Sequence, residues 1–156
     1  MADYNMSRSQ RAYNCVIETL DSHGLDHSDY PKDNEIYIGS VGEEIQSNVK
    51  IMLYKDIELM MMVSSIPFIV PQEKRVDIAA AINMINCTLR NGSFDFNFLN
   101  GNIIFRVTGS YIESEMDPDM VRYMLDYSLR KIEEYYNRLF MLCFKNLTLS
   151  DFIRTI

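Results

Sequence analysis

Tryptophan is absent from the 156 residues, and glycine, proline, cysteine and histidine are scarce: six, four, three and two. The glycines are scattered. They form neither a phosphate loop nor a dinucleotide fingerprint, which need glycines at fixed spacing. Cys15, Cys87 and Cys143 lie far apart with no C-x-x-C pair. An odd, dispersed set argues for free thiols in a reducing compartment, each read as a small core residue. His23 and His27 flank Gly24 at an expected helix end, so they share no helical face and read as solvated loop residues. No G-x-S-x-G elbow occurs. The acidic stretch Glu113–Asp119 lacks the alternating ligand pattern of a calcium loop. No catalytic, cofactor-binding or metal-ligating residue is therefore assigned, no cofactor is expected, and the chain is read as a non-enzyme.

Other absences bear on location. Apolar runs such as Leu59–Val63 are far short of the ~20 residues of a membrane helix. Met1–Gln10 is polar, so a secretory leader is not expected. Basic residues are outnumbered, 15 against 22, for a net charge of −7. Nucleic acids and anionic membranes attract positive fields, so neither is an expected partner. The chain is expected to be cytoplasmic.

What is present is a globular composition, 47% hydrophobic and 24% charged, long enough for one domain over residues 1–156. Ser7 or Ser9 caps a first helix whose stripe is Ala12, Tyr13, Val16, Ile17 and Leu20, ending at Gly24. Leu25–Asn34 reads as a loop. Strands are expected over Glu35–Val41, Asn48–Tyr54 and Ile57–Ser64, the last two joined by a two-residue turn, Lys55-Asp56. Pro67 and Pro71 interrupt the pattern. A second helix, Gln72 to about Leu89, carries the stripe Val76, Ala79, Ile82, Ile85 and Leu89. Phe94, Phe96 and Phe98 alternate along Ser93–Phe98, and Asn100-Gly101 signals a tight turn into Ile103–Gly109. Asp117-Pro118 opens a long final helix reaching about Phe144, its stripe running from Val121 to Cys143.

The order α-β-β-β-α-β-β-α groups strands rather than alternating them with helices. That gives an α+β fold: a mainly antiparallel five-stranded sheet with packed helices.

Methionine is abundant, with eleven residues including Met60-Met61-Met62. Alternation along the second and third strands puts Met52, Tyr54, Met60 and Met62 on the face opposite Ile51, Leu53, Leu59 and Met61. Ile104 joins this second face from the later hairpin. A sheet apolar on both sides needs a cover, from a helix of the same chain or from a partner. Met adapts to varied partners. Met52, Tyr54, Met60, Met62 and Ile104 are thus the candidate partner-binding residues. A small-molecule sensor is the alternative, with a pocket between the sheet and the final helix and polar tips from Tyr123, Tyr127, Tyr135 and Tyr136.

Three stretches, Val70-Pro71-Gln72-Glu73-Lys74-Arg75, Ile82-Asn83-Met84-Ile85-Asn86 and Phe94-Asp95-Phe96 with Asn100-Gly101-Asn102-Ile103-Ile104-Phe105-Arg106, carry a resemblance. They are similar to the YbjN-like family, described as bacterial sensory transduction regulators, over about Ile66–Phe140. The resemblance implies a fold like the chaperones of type III secretion systems, which are small, acidic and commonly homodimeric. It brings no catalytic residue. A homodimer with a possible protein client, chaperone-like or regulatory, is the expectation that follows.

Overall fold

A computed structural model describes residues 6–156; residues 1–5, the start of the polar amino-terminal stretch, lie outside the described residues. Helix α1 (Arg8–Ser22) begins at Ser7, whose hydroxyl accepts from the Gln10 amide at 3.2 Å. Gly24, at φ +64°, ends it in a left-handed turn that costs glycine little. The expected Leu25–Asn34 loop is corrected. It holds an edge strand, β1 (His27–Tyr30), paired antiparallel with β2 (Glu35–Val41). Its His-Ser-Asp-Tyr sequence has no apolar alternation because an exposed edge strand buries little on either side.

Strand β3 (Ser47–Tyr54) pairs with β4 (Leu59–Ile69) through a four-residue turn, Lys55–Glu58, in place of the expected two-residue one. Glu58 takes φ +47° there, and its carboxylate receives Arg8 Nη1 at 2.7 Å, fastening the turn to α1. Pro67 does not end β4. It sits in an irregularity between the Ser65–Ile104 and Ile69–Asn102 pairs, where a missing amide does no harm to the ladder. After a 3₁₀ turn at Gln72–Lys74 comes α2 (Arg75–Thr88), then β5 (Ser93–Phe96), β6 (Asn102–Ser110), the long α3 (Pro118–Phe144) and a short α4 (Leu149–Ile153). The sheet has six strands, not five, in the order β1-β2-β3-β4-β6-β5, all antiparallel. The architecture is α+β.

Two stripes differ from expectation. On α2 the buried residues are Ile78, Ala81, Ile82 and Ile85, whereas Val76 is 69% exposed. The β5–β6 connection is wider than a two-residue turn. Asn97 Oδ1 accepts from the amides of Leu99 and Asn100, and Phe98 is left half-exposed beyond the strand. Gly101 is needed at φ +80°, and its carbonyl accepts from the Val70 amide at 2.9 Å. An added Cβ would lie 2.5 Å from Val70 O.

All helices contribute to one core on one side of the sheet. Its floor is Ile36 and Ile38, Val49, Ile51 and Leu53, Met60, Met62 and Ile66, and Ile103, Phe105 and Val107. Asp117 caps α3 by accepting from the Met120 amide at 2.8 Å, with Pro118 at the first helical position. The helix then crosses the floor. Gly109 gives clearance to Met120 and Met124, Ser128 meets Ser64 hydroxyl to hydroxyl at 2.5 Å, and Tyr135 stacks edge-on against Phe94. Replacing fully buried Met62 by Ala removes well-packed volume and is expected to cost about 2–5 kcal/mol. Met61→Ala, on the opposite face, costs less than half of that. Urea unfolding of the two variants checks the assignment, and equal losses would overturn it.

Candidate partner-binding face

Among the described residues no helix covers the sheet's second face, and none of that face's residues from β2 to β6 is fully buried. Cross-strand pairing aligns them in rows. Met52 of β3 pairs with Met61 of β4, and Met61 with Thr108 of β6. The next row runs Tyr37, Lys50, Val63, Arg106 and Ser93. A third joins Ser65 to Ile104 and Ile104 to Asp95. The centre is therefore apolar: Met52, Leu59, Met61, Val63 and Ile104, each half-buried by its neighbours.

Paired charges flank this strip on both sides. On the β2 side Lys50 Nζ lies 2.7 Å from Glu35 Oε1 and 5.2 Å from the centre of the Tyr37 ring, while Tyr37 donates to Glu35 Oε2 at 2.7 Å. The hydrogen bond from Lys50 holds the Glu35 carboxyl below the usual carboxylate range; in return Glu35 holds the ammonium above its usual range. On the β5 side Arg106 grips Asp95 with Nε and Nη2 at 2.5 and 3.2 Å and reaches Ser93 Oγ. Gly39 and Ser65 lack bulk, leaving a shallow depression of about 400 Å³ beside Tyr37, Lys50 and Val63. An apolar centre with a satisfied polar rim is how protein interfaces are built, since the rim excludes water while the centre loses it.

Of the five sequence candidates, Met52, Tyr54 and Ile104 lie on this face. Met60 and Met62 do not: both are fully buried in the core, paired with Leu53 and Ile51. The correction is one of parity. A turn with an even number of residues pairs each even-numbered β3 position with an odd-numbered β4 position, so Met52 shares its face with Met61. Leu59, Met61 and Val63 were thus missed, although the pairing rule applied to the Lys55-Asp56 turn would have found them. Tyr37, Lys50 and Arg106 gave no separate signal.

The YbjN family profile, described as "putative bacterial sensory transduction regulator", matches residues 14–141. The chain belongs to the YbjN family. Two solved structures share the fold. YbjN from E. coli superposes with a TM-score of 0.59 at 13% identity, covering 81% of this chain and 92% of that one. The ExsC–ExsE complex supplies a chain with a TM-score of 0.67 at 14% identity, covering 86% and 97%. The fold is thus that of the YbjN family, shared by the matched chain of the ExsC–ExsE complex. No curated protein matches the chain.

The remaining sequence candidates divide within this YbjN fold. Phe94, Phe105, Val107, Met124, Ile132 and Leu139 fill the centre of the space between the sheet and α3, while an open cleft of about 600 Å³ remains between the end of β2 and α3, lined by Val41, Glu43, Leu129 and Glu133. Tyr123, Tyr127 and Tyr135 line an open cleft between α3 and the α2–β5 connection, whereas Tyr136 lies in the Phe68–Phe140 aromatic group. Tyr127 donates to Asn91 O at 2.9 Å, so it fastens that connection to α3. His23 Nδ1 lies 2.8 Å from Thr19 O and His27 Nδ1 3.0 Å from Leu25 O. His27 is also no loop residue, since it opens β1. In the acidic stretch Asp117 caps α3 and Glu115 pairs with Arg11. Among the described residues no three His, Cys, Asp or Glu side chains converge as metal ligands, and no helix is long and apolar enough to cross a membrane.

The three cysteines are free, but they are not all core residues: Cys143 is buried, Cys15 half-buried, and Cys87 exposed on the single chain. Burial pushes the Cys143 thiol up to about 11. The unfolded chain therefore forms that thiolate first. Its share of stability is intact below the usual thiol range and is lost as pH rises through about 11. Urea midpoints of the natural chain should fall over that window, and Cys143→Ala should flatten the fall. An unchanged slope in the variant would refute the assignment.

Proposed function

We propose that this chain is a non-enzymatic, protein-binding regulatory or chaperone-like module that works as a homodimer and takes its protein partner on the uncovered face of the sheet. The observation that carries this reading is the half-buried strip Met52, Leu59, Met61, Val63 and Ile104 between two ion-paired flanks. Its side chains are only half-buried, so a partner gains apolar burial at about 25 cal/mol for each Å² covered. The flanking carboxylates already have partners, so little new desolvation is required of them. Family membership and the likeness to a structure solved as a protein–protein complex support the same reading.

The experiment is affinity capture from the source cell followed by native mass spectrometry. The expected result is a complex of two 18.3 kDa chains with a protein partner. In the double variant Met61→Glu/Ile104→Glu that partner is lost, while circular dichroism and the chain's own dimer are unchanged. Retention of the partner by the variant would sink the assignment of this face, and a monomer in both would sink the homodimer.

A further inference from the structure

A cleft of about 510 Å³ opens between α3 and the Thr88–Asn91 segment that follows α2. That is room for one small molecule. The α3 wall carries Tyr123, Tyr127, Lys131 and Glu134, whose spacing of four, four and three puts them on one side of the helix. The Tyr123 and Tyr127 rings stack, 5.6 Å apart and 24° from parallel. Lys131 Nζ lies 5.7 Å from the Tyr127 ring. Tyr135 also lines the cleft but is itself buried, its hydroxyl 3.5 Å from Thr88 Oγ1.

Two contacts fix the distance between the walls. Tyr127 donates to Asn91 O at 2.9 Å. Gly92, at φ +69°, lets the connection lie tight against β6, where an added Cβ would come 2.6 Å from Phe105 Cζ. A site already in shape spares its ligand the cost of ordering it.

The charge of the cleft runs against that of the chain. Lys131 neutralises Glu134 at 2.5 Å. Arg90, on the opposite wall, is exposed and has neither a hydrogen bond nor an ion pair among the described residues. One cation is thus left over among the lining residues of a protein whose net charge is −7. The Tyr123 hydroxyl accepts from Asn91 Nδ2 at 3.4 Å and keeps its own proton to donate. At 48% exposure, Tyr123 also has ring surface to offer.

We infer that this cleft binds a small aromatic carboxylate, its ring against Tyr123 and its carboxylate on Arg90, with Lys131 and the Tyr123 hydroxyl beside it. Each part of the ligand answers a part of the cleft. A guanidinium fork meets a carboxylate with two parallel hydrogen bonds. One unpaired cation matches one negative charge, whereas a nucleotide phosphate brings about two. Tyrosine rings favour another aromatic ring, whose edge and face complement their own, over a saturated one. The site lies on the helix side of the sheet, away from the open strip of Met52, Met61 and Ile104, so it stands or falls separately from the protein-binding reading.

Isothermal titration calorimetry of the full chain tests this with phenylacetate, 4-hydroxyphenylacetate and indole-3-acetate. At least one should bind saturably, one per chain, and more tightly than cyclohexylacetate or adenosine monophosphate. Arg90→Ala should weaken that binding about tenfold or more, and Arg90→Lys, which keeps the charge but loses the fork, by less. Tyr123→Leu should weaken it about two- to tenfold. Circular dichroism should be unchanged in all three variants, since neither side chain is buried. Absence of saturable heat with all three acids at millimolar concentration would overturn the site, as would undiminished affinity in Arg90→Ala. Cyclohexylacetate or adenosine monophosphate binding as tightly as the best of the three would overturn the ligand class.

Discussion

The pairing of β3 with β4 is the constraint on which the rest of the molecule depends. Once Leu53 lies opposite Met60 and Ile51 opposite Met62, one side of the central strands becomes the core floor. A slip of a single residue would turn every side chain over, because strand side chains alternate with a period of two. Met60, Met62 and Ser64 would then face water, and Met61 and Val63 would face α3. The four-residue turn at Lys55–Glu58, tied to α1 by Arg8, holds this register at one end. The Ser64–Ser128 hydroxyl pair holds it in the middle, since a buried hydroxyl without a partner is costly.

Everything else is arranged around that floor. Helix α3 crosses β4 and β6, α1 packs on α3, and α2 closes the β5 end through Phe94. Asn86 also seals that end: its amide exchanges two 2.9 Å hydrogen bonds with the Phe94 backbone, occupying the free side of the edge strand. Because every helix is spent on one side, the other side of the sheet is left to its own side chains. An uncovered face of half-buried methionine and branched aliphatics is the direct consequence among the described residues.

Much of this was legible from residue order alone. Ser7 and Asp117 as helix caps, Pro118 at the start of α3, Gly24 at the end of α1, and the strands β2, β3 and β6 all follow from local chemistry. Local rules failed where the element's surroundings decided. Edge strand β1 is polar because it buries little. Pro67 is tolerated within β4 because it falls at an irregularity. Val76 was placed in the core because α2 is apolar on two sides, so periodicity could not tell the inward stripe from the outward one. For the candidate site, three of five residues were legible. The other two were assigned to the wrong face because Met, Leu and Val occupy both sides of β4.

The sequence by itself determined the class of fold, the order of its main elements and the family, since these rest on spacing, caps and turns that act within a few residues. It also determined that the sheet would be apolar on both sides. Which side is buried was decided only by tertiary structure. An apolar residue on a strand gains free energy on either face, and the choice is made by the register of its neighbour and by the helices that reach one side and leave the other open.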